Sequence, residues 1–488
     1  MKRINILLII IGLALAFTAC EDYLKENPPG ELAPESFLAT QEGVEGVLNS
    51  AYVQYKFNYS QHNLLTQSFE YPGDIMYETG GGMNINFVRM ANFQWTSSSS
   101  DANAVWNTKY ESIRDANIVI DNLDNIEDQN TRAALLAEAR YIRAVDYVYL
   151  YDNFGPVPLR TSALDEPNLP RATEEEFQSF VISELEAAAA GLPNPGTEVY
   201  GKGTKGAALA FLTRFYMTIK EWQKGAETAK RVMDLGYYEL FPTYHDLFKV
   251  ENEHDKNPNN KEMIAVSVCT HTHPYGNKIP TVALPPGFWY TDEIPEFKAE
   301  GIANWAANFR FYDWFIETFD KEKDDRFSLI FGSYVNNKGV VVDLTTQAHN
   351  YRTLKYFDNM AEGASHGADF PMFRYADILM LRAEALNEIN GPNAECISLI
   401  NQVRIRAGVD EINADDFTKE SLRDFILEER GREFYYEALR RSDLIRHGKL
   451  IERALDRGIA NAADYHNRYP IPQAEMDANP NMEQNPGY

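Results

Sequence analysis

The stretch TKGAALAFLTRFYMTI, residues 204–219, with a second helical segment at residues 222–235, decides the fold class. Gly206, Ala207 and Ala210 are small enough to let another helix approach closely. Gly236-Tyr237-Tyr238 closes the pair as a C-cap followed by aromatics. A comparable helical hairpin returns at residues 373–390 and 394–407, joined by Gly391-Pro392.

Upstream, TRAALLAEARYIRAVDYVYLY, residues 131–151, repeats apolar side chains at three- and four-residue intervals. Asn153-Phe154-Gly155-Pro156 ends it. Thr173 with Glu176 offers a capping box before Phe177, Val181 and Leu185, and Gly191-Leu192-Pro193 stops that helix. These two-helix units look like degenerate tetratricopeptide-type pairs without a strict repeat. Between the two hairpins lies an insert, residues 251–367, rich in Asn, Pro, Gly and aromatics, with strand-like runs at 263–268 and 340–344, and a second insert of this kind spans residues 71–100 ahead of the helical units. The expected fold is mainly α, with helix pairs, irregular loop inserts and a few short strands. No proline- or serine-rich linker divides the chain, so residues 20–488 are expected to form one unit, with halves at about 20–250 and 251–488.

Hydrophobic residues make up 44% of the 488 and aromatics 12%, ample for a large core. The formal charge of −26 repels a phosphate backbone and argues against a nucleic-acid partner. Three cysteines are too few for a disulfide scaffold. The first of them is informative. Lys2 and Arg3 precede an apolar run, residues 6–17, that is shorter than the ~20 residues of a spanning helix and ends in Phe17-Thr18-Ala19-Cys20. Residues 1–19 read as a lipoprotein signal peptide with Cys20 as the lipidated residue, and two or three acyl chains anchor far more firmly than one. Glu21 and Asp22 resemble the acidic export signal of Bacteroidota-type surface lipoproteins.

Val105-Trp106-Asn107-Thr108-Lys109-Tyr110 with Ile113 and Ala116-Asn117 resembles the W-x-x-x-Y-x-x-I-x-x-A-N segment of the SusD/RagB family. Further blocks agree in order: Glu138-Ala139-Arg140, Phe154-Gly155-Pro156-Val157-Pro158, Arg374-Tyr375-Ala376-Asp377, Glu428-Glu429-Arg430, Arg440-Arg441 with Asp443, and the tail from Tyr469-Pro470 to Tyr488. The resemblance covers essentially the whole mature chain. It implies four tetratricopeptide-like helix pairs, loops forming a shallow ligand site, and a lid over a SusC-like TonB-dependent transporter in the outer membrane. It also implies a surface-exposed, lipid-anchored protein that binds oligo- or polysaccharide without cleaving it and hands it over. A peptide or glycopeptide binder of the same fold and a glycoside hydrolase are the alternatives.

A sugar ring offers an apolar C–H face and a hydroxyl rim, which aromatic platforms and a few polar groups satisfy together. The candidate platforms are Tyr77 and Trp95 in the first insert and Trp289, Tyr290 and Trp305 in the second, with Asn84, Asn86 and Arg89 as polar partners. Trp106 and Trp222 fall in helical blocks and are expected in the core. Glu428, Glu429, Arg430, Arg432, Glu433, Arg440, Arg441 and Asp443 have spacings that suit ion pairs. No catalytic residue is assigned, for the chain has no nucleophile elbow, P-loop or dinucleotide fingerprint. No cofactor or metal is expected. Cys269, His271 and His273 would alternate onto one strand face but have no evident fourth ligand, and the acidic run 320–325 lacks the EF-hand spacing.

Overall fold

The computed structural model describes residues 34–60, 69–78, 85–272, 275–291, 301–303 and 310–488. Cys20 and the signal segment therefore lie outside the described residues. Helices α1 (Gln41–Ser60), α2 (Ser100–Asp121), α3 (Gln129–Phe154), α4 (Glu174–Gly191), α5 (Lys205–Thr218), α6 (Trp222–Met233), α7 (Tyr375–Asn390) and α8 (Ala394–Arg406) form the scaffold. Each packs on the next, so α7 follows α6 in space although a long insert separates them in sequence. This gives four consecutive pairs, the number that the family resemblance implies.

Local chemistry sets the helix ends. Asp128 accepts a hydrogen bond from the Thr131 N–H (2.7 Å) to start α3. Gly155 stops it at φ +74°, where a Cβ would lie 2.6 Å from the Arg468 guanidinium. The Thr173 and Glu176 side chains each accept from the other's backbone N–H, at 3.2 and 2.9 Å, a complete capping box. Gly206, Ala207 and Ala210 are buried, but the group that approaches Gly206 is the Tyr238 ring rather than a helix. The close crossing of α5 and α6 is at Gly225, where a Cβ would meet Met217 Sδ at 2.8 Å.

The inserts build antiparallel ribbons. Strands β1 (Met76–Tyr77), β2 (Met263–Ser267), β3 (Phe288–Tyr290), β4 (Arg310–Phe311), β5 (Ile330–Phe331), β6 (Ser333–Asn336), β7 (Val341–Asp343), β8 (Arg352–Thr353) and β9 (Phe370–Arg374) pair as β1–β4, β2–β9, β3–β6–β7 and β5–β8. The first insert also forms a short helix, Ile85–Ala91, within a stretch that the sequence reads as irregular.

Buried charge ties inserts to scaffold. Helix α9 (Lys419–Phe434) presents Glu429 and Glu433, and α10 (Arg440–Arg446) presents Arg440, Asp443 and Arg446. Arg374 binds Glu262 (2.7 Å), Glu433 (2.6 Å) and Glu437 (2.8 Å), and Arg326 binds Asp324 and Glu429 at 2.7 Å each. Arg430 joins Asp377 and Asp443, and Arg440 reaches back to Asp74 at 2.6 Å. These groups are shut from solvent and saturated by one another, the structural role that their spacing predicts. The tail is a strap: Asn485 donates to the Phe154 and Tyr469 carbonyls at 3.0 and 2.7 Å, and Asn479 to that of Leu169 at 2.8 Å.

Candidate functional site

Strands β1 and β4 pair Met76 with Phe311 and Tyr77 with Arg310. Side chains alternate across a ribbon, so one face carries Met76 and Phe311, both fully buried, and the other carries Tyr77 and Arg310, both half-buried. On that outer face Tyr77 meets Tyr312 edge to face, ring centroids 5.2 Å apart, and His349 at 4.9 Å. Tyr312 and His349 are 5.2 Å apart, closing a triangle of half-buried rings.

His349 holds the left-handed backbone (φ 57°), a conformation that histidine tolerates better than most residues. Asp313 fixes it there. The His349 N–H donates to Asp313 Oδ1 (2.9 Å), the Asp313 N–H donates to His349 Nδ1 (3.2 Å), and Asp313 Oδ2 lies 3.2 Å from Nδ1. In the neutral ring this leaves Nε2 as the N–H donor. The Arg457 guanidinium lies 5.5 Å over the Tyr312 ring and donates to the carbonyls of Arg453 (3.1 Å), Pro72 (3.3 Å) and Gly73. Burial pulls the Arg457 and Arg310 guanidiniums below the usual arginine range and pushes the Tyr312 phenol up. Beyond Arg457 opens a cleft of about 800 Å³ lined by Trp314, Phe425, Glu428 and Arg453. Trp314 donates to the Asp74 carbonyl (2.9 Å) and Arg453 stacks over its ring at 5.6 Å.

Of the platforms expected from sequence, Tyr77 joins this triangle. Trp289 and Tyr290 lie half-buried on β3, beside an inward Phe288, and make no ring contact with the triangle among the described residues. Trp95 is a correction. It is only 3% exposed, donates to the Tyr488 hydroxyl at 2.6 Å, and packs against Phe93, His466 and Tyr469, so no ring face is open to a ligand. Trp305 and Asn84 lie outside the described residues, as does the side chain of Asn86. Arg89 is half-buried on its short helix.

Trp106 is buried against Phe154 and Tyr110, and Trp222 is half-buried at the start of α6. Cys269 is buried with its thiol donating to the Ser267 carbonyl, and burial pushes that thiol well up. His271 instead faces Asp358 (2.8 Å), and His273 lies outside the described residues. No group of three potential metal ligands gathers among the described residues. In the acidic run, Asp320 and Asp325 accept backbone N–H bonds and Asp324 pairs with Arg326. Sequence reasoning missed Tyr312, His349, Arg310 and Arg457. The alternation Arg310-Phe311-Tyr312 carries a local signal for the first and third, but His349 and Arg457 arrive through tertiary packing alone.

Two family models match the chain, one described as the SusD family over residues 307–488 and one as starch-binding associating with outer membrane over residues 22–217. A SusD-like protein of Formosa agariphila is 28% identical, with both chains covered in full. The starch-binding protein SusD of Bacteroides thetaiotaomicron is 25% identical over 83% of this chain and 82% of its own. Among solved structures, a laminarin-binding SusD-like protein superposes with a TM-score of 0.76 at 23% identity, covering 92% of this chain and all of that one. No described helix is long and apolar enough to cross a membrane. The helix pairs and the matches at both ends of the sequence agree: the chain has the SusD-like fold and is similar to the SusD family along both halves of its length.

Proposed function

We propose that this protein is a lipid-anchored, cell-surface saccharide receptor that captures oligo- or polysaccharide on the triangle of Tyr77, Tyr312 and His349 and passes it to a SusC-like TonB-dependent transporter. One observation carries the reading. Three aromatic rings, each half-open to solvent, stand together on a loop layer braced by a rigid helical scaffold. Such rings accept the C–H faces of pyranoses, while the His349 ring N–H and the nearby guanidiniums supply hydrogen bonds to hydroxyls. Trp289 and Tyr290 on β3 offer a second contact for a longer chain, and repeated sugar units raise the effective concentration at the surface.

The receptor does not cleave. The carboxylate cluster around Glu429 and Glu433 is buried and held ionised by arginines, a poor setting for a general acid. Anchoring is through acyl chains on Cys20 after removal of residues 1–19, and residues 20–488 act as one unit around a core that runs from Val44 to Met482. Retention of purified protein in gels containing single polysaccharides, together with an assay for new reducing ends, tests the reading. Retardation by at least one polysaccharide without new reducing ends supports it. Retention by peptides alone, or release of reducing ends, refutes it.

A further inference from the structure

The face that carries the ring triangle has an electrostatic oddity for a chain of net charge −26. Arg326, Arg374, Arg430, Arg440 and Arg446 each hold at least one carboxylate in direct ion pairing, whereas Arg441, equally buried under the C-terminal strap, donates to the Asp152 and Asn467 carbonyls instead. Arg310 and Arg457, the two guanidiniums flanking the rings, hold none among the described residues. Arg457 spends its donors on backbone carbonyls. Arg310 stands across from Tyr77 on the ribbon, and its Nε is hidden from solvent without a hydrogen-bond partner.

The nearby acids are committed elsewhere. Asp313 is locked with His349, and Asp74 is bound by Arg440 at 2.6 Å. Glu78, which follows Tyr77, acts on Arg310 through space and on Tyr71 and Arg352 as well. A guanidinium drawn out of water without a counter-charge is costly, and the cost is relieved when an anion reaches it. Planar carboxylate and sulfate groups match its fork.

On the platform reading given above, we infer that the saccharide taken by the triangle is acidic, with a carboxylate or sulfate substituent docking on Arg310 while Tyr77 and Tyr312 take the ring face. Arg457 adds a fixed positive field at the far edge of Tyr312. Selectivity against neutral glycans follows, since a neutral sugar brings no anion to the Arg310 guanidinium.

Calorimetric titration of the full soluble chain tests this with oligogalacturonate and sulfated carrageenan oligosaccharides against neutral malto- and laminari-oligosaccharides, using wild type, Arg310→Gln, Arg310→Lys and Tyr77→Ala. The expected result is binding of one acidic class, weakened about tenfold or more by Arg310→Gln, partly restored by Arg310→Lys and weakened by added salt. The class that binds distinguishes carboxylate from sulfate. Neutral sugars bound as tightly as acidic ones, with Arg310→Gln matching wild type and Tyr77→Ala still impaired, would overturn the acidic ligand and leave the platform standing. Binding of any of these sugars that is indifferent to Tyr77→Ala would overturn the platform and the inference together. Unchanged thermal unfolding of Arg310→Gln confirms that its effect is local.

Discussion

Arg374 at the end of β9 and Glu433 on α9 meet at 2.6 Å with both side chains excluded from solvent. Glu433 also receives Arg406, and Arg374 also holds Glu262 and Glu437, so strand, helices and loops share one charge network. Removing one member strands the rest. Glu433→Ala is expected to cost about 3–5 kcal/mol in urea unfolding.

The same network makes the protein acid-sensitive. Burial raises the Glu433 carboxyl, but Arg406, Arg374 and Arg326 outweigh it and hold it down at about 2. A depressed carboxyl contributes stability above its unfolded value, about 4.3, and loses it as pH falls toward its folded value. Urea midpoints are therefore expected to fall steadily between about pH 4.5 and 2. A flat profile across that window would count against the network.

Glu70 titrates in the opposite sense. Its Oε1 accepts from the Ala438 N–H (2.6 Å), its Oε2 is buried without a hydrogen bond, and burial pushes the carboxyl up to about 8. A raised acid leaves the folded state holding the extra proton, so its contribution is complete below about pH 4 and is lost as pH rises toward 8. Glu70→Gln keeps an acceptor for Ala438 and removes the charge. It is expected to raise the melting temperature at pH 8 and to change it little at pH 5.

Trp95 and Tyr488 give a structural counterpart to the platform residues. The indole N–H donates to the hydroxyl of the last residue, which in turn donates to the Arg468 carbonyl at 2.8 Å. Trp95→Ala is expected to cost about 3–5 kcal/mol, and Tyr488→Phe about 1 kcal/mol. Neither Tyr488→Phe nor Trp95→Phe should change saccharide affinity. A folded Trp95→Phe that loses binding would return Trp95 to the ligand site.

Much of the scaffold was legible because its signals are local. The capping box at Thr173 and Glu176, and stops at Gly155 and Gly391, mark helix ends without tertiary knowledge, whereas the Asp128 cap ahead of the expected start of α3 went unread. Most of the charge blocks were legible as ion pairs from their helical spacing, but Arg441 is an exception and donates to the Asp152 and Asn467 carbonyls. The third partners of the pairs were not legible, since Glu262 and Arg326 come from loops far away in sequence. The ring triangle was half visible: Tyr77 could be named, whereas Tyr312 and His349 join it through a two-residue ribbon and a left-handed turn that no periodicity announces. Trp95 misled because an aromatic in a loop-like stretch reads the same whether it faces solvent or the underside of the C-terminal strap.

The central claim is that the Tyr77, Tyr312 and His349 rings are the saccharide platform. Affinity electrophoresis of Tyr77→Ala and Tyr312→Ala beside Trp289→Ala and Tyr290→Ala, in gels holding the polysaccharide that retards wild type, tests it most directly. The expected result is that either ring removal from the triangle costs about 2 kcal/mol, roughly thirtyfold in affinity, with the fold intact, and that the β3 changes cost less. Full retardation of both triangle variants, with loss confined to the β3 variants, would contradict it.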